Sequence, residues 1–404
     1  MGSAVKRKQP LLRFGVLGMG GAWMLFMPDL ARHPRVAITA GADPRPEARA
    51  RFARDFEAEV FESAEALCAS PSVDAVYVAT PHRFHADHVI AAAAQGKHVI
   101  CEKPIALSLA ECDAMIAAVE RAGTRLVVGY SQGFSPPVLT MREIVKSGEL
   151  GRLGMIHSWN YKDFVYRPRA LEELDPERGG GVVLNQGPHQ IDVVRWIGGG
   201  LVHSARASTG TWDPARPIVG AYSAFLEFAD GATATVAFSG YGRFDTDEFH
   251  YWLGEGGQPK PLERYGNERE LLASMSPTGV AAHKAAGLYG GPRQRRVDLG
   301  AQDDERGHSH FGVTIVSCER GDLRASRRGV YVYDDAGRRE VPVALGLTPR
   351  SGVIDELCDA VANDHAPRHD GRWAKATLEV CLAIHQSARE RREIGLAHQV
   401  PTPD

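Results

Sequence analysis

The sequence predicts an α/β protein in two parts, with a parallel, doubly wound sheet in the first third and mostly antiparallel strands in the remainder. Three observations carry this. From residue 12 to residue 130, short apolar runs alternate with helix-patterned segments at the spacing of right-handed crossovers. After Ser135-Pro136-Pro137 the alternation stops, and strand patterns follow one another across short turns such as Ala229-Asp230-Gly231. At 404 residues the chain is also longer than one hydrophobic core usually serves. The expected division is 1–135 and 136–404, with an irregular insertion at about 254–310.

Residues 13–17 read as an apolar strand that runs into Gly18-Met19-Gly20-Gly21-Ala22, with helix-forming residues beyond. A Gly-x-Gly turn between a strand and a helix lets backbone approach a pyrophosphate, which then rests on the helix N-terminus. Trp23 stands where a third glycine is usual, so the fingerprint is imperfect. Residues 36–42 are a second strand, closed by Asp43, 23 residues after Gly20. Dinucleotide-binding sheets place an acid at about this distance to hold the adenosine ribose hydroxyls. Taken alone, Asp43 is equally a turn residue in Asp43-Pro44-Arg45-Pro46.

Residues 46–56 are helical, and 74–79 are a buried strand ending in Ala79-Thr80-Pro81-His82-Arg83-Phe84-His85. An alanine-rich helix over 82–95 leads to Gly96-Lys97-His98-Val99-Ile100-Cys101-Glu102-Lys103-Pro104. Its apolar run is too short for a helix and reads as a strand, with Glu102 and Lys103 at its carboxyl end. A lysine there lies where open α/β sheets bind ligands, and it can hold a substrate oxygen that gains charge. The same three residues would also serve as a surface ion pair beside a turn proline. Ser108 and Glu111 form a capping box for a helix to Ala122, and 125–130 is another strand. Gly18, Asp43, Thr80, Lys103 and Tyr130 then share the carboxyl edge of one sheet.

In the remainder, 138–146 reads as helix and 153–164 as strand. Gly179-Gly180-Gly181 precedes a helix over 182–197, which Gly187-Pro188 must kink or loosen. Asn185, His189, Asp192 and Trp196 recur at helical spacing and share a face, which suggests a site. The competing reading is a buried histidine hydrogen-bonded to Asp192. Strands are expected at 201–208, 221–228, 233–239, 311–316, 329–333 and 339–343, and helices at 352–362 and 373–392. The stretch 254–310, with Arg293-Gln294-Arg295-Arg296 and Asp303-Asp304-Glu305-Arg306, lacks a period and reads as an active-site lid or an interface arm.

Bulk properties exclude several classes. Net charge is −3 with 24% charged residues, which gives no basic signature for nucleic acid. Six scattered cysteines form no Cys-x-x-Cys pair, so neither a metal site nor a disulfide framework is expected, and a reduced, cytoplasmic setting fits. Residues 1–10 are polar and basic without a signal-peptide apolar region, and no run has the length of a membrane span.

The Gly18-x-Gly20-Gly21 turn, Ala79-Thr80-Pro81…His85, Glu102-Lys103-Pro104 and Gly179-Gly180-Gly181…His189…Asp192, in this order, resemble the Gfo/Idh/MocA oxidoreductases along nearly the whole chain. The resemblance implies an N-terminal Rossmann domain with a doubly wound parallel sheet, followed by an α/β domain with a large, mostly antiparallel sheet. It implies a homodimer or homotetramer through the open face of that sheet. It places Lys103 and His189 beside the nicotinamide as catalytic residues, and gives the cofactor a binding set of Gly18, Met19, Gly20, Gly21, Ala22, Asp43, Arg45, Ala79, Thr80, Pro81, His85, Glu102 and Lys103. Many members carry an aspartate where this chain has Asn185, and sugar-acting members tend to carry an arginine where it has Gln132-Gly133 before Phe134. The form Asn185-Gln186-Gly187-Pro188-His189-Gln190-Ile191-Asp192 looks most like the phthalate 4,5-cis-dihydrodiol dehydrogenase branch.

The expected chemistry is oxidation of a secondary alcohol, with NAD preferred because Asp43 repels a 2′-phosphate, and NADP the alternative because Arg45 could pair with one. The substrate is a small molecule held by Asn185, Asp192, Tyr161, Arg167 and Arg169, with Arg178 a further candidate and a carboxylated cis-dihydrodiol the expected type. Three other readings stay open: a sugar or inositol dehydrogenase, a redox-neutral glycosidase that uses NAD, and a non-catalytic dinucleotide-binding regulator.

Overall fold

The computed structural model describes residues 11–169, 171–262, 266–294, 306–345 and 348–403. The basic stretch 1–10, Arg295-Arg296 and Asp303-Asp304-Glu305 lie outside the described residues. The first sheet contains β1 (Leu12–Leu17), β2 (Val36–Ala42), β3 (Glu59–Phe61), β4 (Ala75–Val78), β5 (His98–Cys101) and β6 (Leu126–Val128). Its strand order is β3-β2-β1-β4-β5-β6, and every pairing is parallel. Strand order therefore reverses between β1 and β4, and the crevice outside their carboxyl ends is the place where such sheets take ligands. β3 escapes sequence reading because three residues carry no period.

Around the sheet lie helices α1 (Gly21–Arg32), α2 (Pro46–Phe56), α3 (Ala64–Ala69), α4 (His85–Ala94) and α5 (Leu109–Ala122). The Ser108–Glu111 capping box at α5 forms as expected. Trp23 does fit between α1 and the sheet: it is fully buried against Phe52, Phe56, Tyr77 and Tyr289.

The second sheet runs β14-β13-β12-β11-β7-β10-β9-β8-β15. Its strands are β7 (Leu153–Tyr161), β8 (Val202–Gly210), β9 (Ala221–Phe228), β10 (Thr233–Ser239), β11 (Val313–Cys318), β12 (Gly321–Ala325), β13 (Gly329–Asp334), β14 (Gly337–Pro342) and β15 (Ile394–Gly395). All neighbours are antiparallel except β7 and β10. One face carries α6 (Pro136–Ser147), α7 (Val182–Asn185), α8 (Gly187–Ile197) and α12 (Gly371–Glu390), over inward residues such as Ile156, Val236 and Leu226. The insertion is less irregular than expected, since α9 (Asn267–Ala273) and α10 (Pro277–Gly287) lie within it. Helix α11 (Pro349–Ala362) returns to the first sheet, where Val353, Ile354 and Leu357 join the core of Phe14, Phe26 and Tyr77.

Candidate active site

Gly18 ends β1 at φ +87, and a Cβ there would stand 2.8 Å from the Ala79 carbonyl oxygen. Only glycine lets the turn pass this close to the end of β4. At Gly20 and Gly21 a Cβ would meet nothing within 4 Å, so backbone at the N-terminus of α1 faces open space. That is the room a pyrophosphate needs, and the turn fits the dinucleotide. The opening belongs to a cleft of about 1400 Å³, lined by Gly20, Gly21, Ala22, Ala79, Thr80, Pro81, His85, Glu102, Lys103, Asn185 and His189, among others.

At the far end of the turn, Asp43 is buried and saturated. Its Oδ2 accepts from Met19 N–H at 2.8 Å, and Oδ1 accepts from Arg45 N–H and Nε at 2.9 Å each. The Arg45 guanidinium also donates to the Met19 carbonyl at 2.8 Å and the Tyr289 carbonyl at 3.3 Å. Gly18, Met19, Asp43 and Arg45 thus frame the turn without lining the cleft. His85 anchors two loops, its Nε2 2.9 Å from the Thr80 oxygen and its Nδ1 2.9 Å from the Pro104 oxygen.

Lys103 and His189 both line the cleft, Lys103 from the end of β5 and His189 from α8. Lys103 follows β5, and its Nζ donates to the Asn185 carbonyl at 2.7 Å. Glu102 beside it accepts from Tyr77 OH at 2.8 Å. Burial lowers the Lys103 ammonium, with Glu102 and Glu255 pulling the other way and Arg169 and Arg350 adding to the fall. Burial, then Lys103, also pushes His189 well below the ordinary histidine range. His189 is therefore a neutral imidazole at pH 7 and can accept a proton.

Helix α8 is bolted to the second sheet by the residue after His189. Gln190 donates to Ser158 Oγ at 3.0 Å and accepts from Tyr222 OH at 2.6 Å. The expected kink exists: the helix breaks at Gln186 (φ −114, ψ −34), one residue before Gly187-Pro188. Asn185, at the end of α7, donates through Nδ2 to the carbonyls of Gly179 and Gly181 at 2.9 Å each. A carboxylate could not make those bonds, so the amide holds the glycine loop in place.

The shared-face expectation splits here. Asp192 does not reach the cleft: it is fully buried, and its Oδ1 accepts from Trp373 Nε1 at 2.7 Å. Trp196 stacks on His369 at 4.8 Å, in the same cluster. His189 has no bond to Asp192 among the described residues, and its ring packs 5.2 Å from Phe311 instead. Tyr161 points onto the open sheet face against Phe244, away from the cleft. Arg167, Arg169 and Arg178 do line it. Arg169 lies over the Phe164 ring at 3.8 Å.

Two residues that line the cleft with Lys103 and His189 were missed by sequence reading. Glu255 reaches the cleft from the insertion, and Arg350 from the first turn of α11. Neither stands in a motif; only the returning chain brings them here. Of lid and interface arm, the lining favours the lid: Gly254, Glu255, Lys260, Arg269, Lys284 and Leu288 all face the cleft.

With this geometry in place, the similarities to known proteins are specific. The oxidoreductase family model with an NAD-binding Rossmann fold matches residues 12–130, and the GFO/IDH/MocA C-terminal domain model matches 138–257. The chain belongs to the Gfo/Idh/MocA oxidoreductase family. It is 39% identical over 380 residues to 1-carboxy-3-chloro-3,4-dihydroxycyclohexa-1,5-diene dehydrogenase of Comamonas testosteroni, covering 94% of this chain and 95% of that one. A solved structure from Bordetella bronchiseptica RB50, designated a dehydrogenase, superposes with a TM-score of 0.89 at 43% identity, covering 96% of this chain and 100% of that one. Levoglucosan dehydrogenase with NADH and levoglucosan shares the fold at a TM-score of 0.71 and 19% identity, over 95% and 99% of the two chains. This member of the family is an NAD-dependent oxidoreductase.

Proposed function

We propose that the substrate is a cyclic cis-diol bearing a carboxylate, oxidised to a catechol. The observation that carries this is the set of arginines that line the cleft with Lys103 and His189: Arg167, Arg169, Arg178 and Arg350. Arg169 and Arg350 both act electrostatically on Lys103, and Arg167 lines the same cleft. A neutral polyol needs no such cations, whereas a carboxylate gains charge-assisted hydrogen bonds from them. The Comamonas relative, by its name, acts on a diol of this kind.

When bound, the nicotinamide supplies the hydride acceptor. His189 takes the proton of the reacting hydroxyl, and Lys103 holds that oxygen while its negative charge grows. Loss of the carbinol hydrogen as hydride and of the hydroxyl hydrogen as a proton leaves a ketone. In a dihydrodiol that ketone enolises to a catechol, and the gain of aromaticity makes the net oxidation favourable.

Placing aromatic breakdown in the cytoplasm, and dividing the chain into a dinucleotide part (1–135) and a substrate part (136–404), belong to the same reading. So does assembly through the open face of the second sheet, where Met155, Tyr161 and Phe225 are exposed. Such an apolar face suits a second copy.

Steady-state kinetics on matched acidic and neutral cis-diols test the substrate class. The acidic diol is expected to show the higher kcat/KM, with KM rising and kcat holding as ionic strength rises, because screening weakens ground-state and transition-state attraction alike. A higher kcat/KM for glucose or myo-inositol than for every acidic diol would restore the sugar dehydrogenase reading.

A further inference from the structure

We infer that Glu255 is a positioning residue for His189: its carboxylate stabilises the imidazolium formed when His189 takes the substrate proton. This rests on the assignment of His189 as proton acceptor. Asn185 cannot serve, because its side chain is neutral and its Nδ2 is spent on Gly179 and Gly181. Glu102 is turned toward Tyr77 and its own backbone neighbour, Lys103 N–H. Asp192 is committed to Trp373. Glu255 lines the cleft with His189 and Lys103, its loop is bound to His310, and the next residue, Phe311, packs on the His189 ring. Alone among these carboxylates, it acts by its charge on both His189 and Lys103.

The surroundings of Glu255 suit that task. Its backbone carbonyl accepts from His310 N–H at 3.2 Å, which ties the Gly254-Glu255-Gly256 loop to the entry of β11. Its carboxylate stands 3.5 Å from Lys162 Nζ and keeps 29% of its side-chain exposure, toward the cleft. Burial opposes its ionisation, but Lys162, then Arg167, His310 and His189, outweigh that and hold the carboxyl at about 2. Glu255 is thus a permanent anion at working pH. Lys162 also pairs with Asp247 at 2.5 Å, so neutralising Glu255 leaves that buried lysine a carboxylate partner. The charged groups of the cleft that act on His189 are then Lys103 from the end of β5, Arg350 from α11 and Glu255 from the insertion. Two are cations, and protonating His189 between them is unfavourable without the third. As in other acid–base pairs, an anion that lowers the cost of the transient imidazolium speeds proton removal.

The test uses Glu255→Gln in the full chain, with two independent arms. Without substrate, the His189 imidazole is followed by NMR titration, assigned by difference against His189→Asn. Its midpoint is expected to fall in Glu255→Gln. An identical response in the two proteins, including a ring neutral to the acid unfolding limit in both, overturns the inference.

In the second arm, NADH formation from cis-3,4-dihydroxycyclohexa-1,5-diene-1-carboxylate is followed. Glu255→Gln is expected to lower kcat roughly tenfold or more with KM within about threefold, and Glu255→Asp to recover part of it. In a His189→Asn background the Glu255 change should add nothing, whereas a purely structural role would add fully, and full additivity overturns the inference. If the wild-type chain forms no NADH from this diol, the substrate assignment fails, and the titration alone decides Glu255.

Discussion

His189 and Lys103 are each unfavourable where they stand. Both are partly buried, both are shifted away from their charged forms by loss of solvent, and the Lys103 ammonium makes a charge on His189 costlier still. Perturbed groups that share a cleft mark a candidate functional site, and this is the ground on which we propose the pair as catalytic. Lys103→Ala and His189→Ala are each expected to cut turnover by at least about a hundredfold, the lower end for lost acid–base function. Dinucleotide binding, measured by titration, should survive both, since the glycine turn lies elsewhere; near-normal turnover in His189→Ala would show the histidine to be structural. Asp192 behaves differently. Burial pushes its carboxyl up to about 6, against His369, Trp373 and Arg195. A raised carboxyl disfavours the ionised folded state, so its contribution to stability falls as pH rises from about 4 through about 6. Asp192→Asn keeps an acceptor for Trp373 and cannot ionise. Its melting temperature relative to wild type should therefore climb between pH 4.5 and pH 7.5, by the equivalent of on the order of 2 kcal/mol. A difference that stays flat with pH would show that Asp192 titrates normally.

At the scale of elements, the site depends on how α8 and the insertion are held. α8 was readable because its glycines, proline and polar stripe are local features. Its polar stripe divides between cleft and core because the other elements packed around it decide which turn faces what. The insertion closes on the first sheet through Tyr289, which is fully buried against Trp23 and Phe52 and donates to Asp55 at 2.7 Å. Its carbonyl also receives Arg45. Tyr289→Ala should cost about 3–5 kcal/mol of stability, as large aromatic truncations in cores do. It should also weaken NAD binding by loosening Arg45 and Asp43. Tyr289→Phe, which loses the hydroxyl and with it the bond to Asp55, should cost about 1 kcal/mol. Thermal unfolding and dinucleotide titration check both, and an Ala variant with unchanged NAD affinity would separate the insertion from the cofactor site.

For the whole molecule, two sheets meet so that Lys103, from the first, stands against the Asn185 backbone carried by the second. Neither part holds a complete site. The cofactor preference is set at the same scale. Arg45 bonds to Asp43, Met19 and Tyr289, so a 2′-phosphate would have to displace those bonds and then face the Asp43 carboxylate. NAD should bind the apo protein more tightly than NADP, and equal or tighter NADP binding in a direct titration would reverse this.

Much of this was legible in the residues alone, where the cause is local. The Gly18 turn is demanded by a positive φ, α5 by a capping box, and β2, β9 and β10 by apolar period and turn residues. Lys103 and His189 could be singled out because each sits in a short motif. What the tertiary structure alone decided involves residues far apart in sequence. Asp192 left the cleft because Trp373, 181 residues on, claims its carboxylate, and Tyr161 because strand pleating turns it to the open face. Glu255 and Arg350 entered the cleft because an insertion without periodicity and a helix returning to the first sheet end there. A pattern within one element reports which side is apolar, but which charges share a cavity is fixed only when the chain closes on itself.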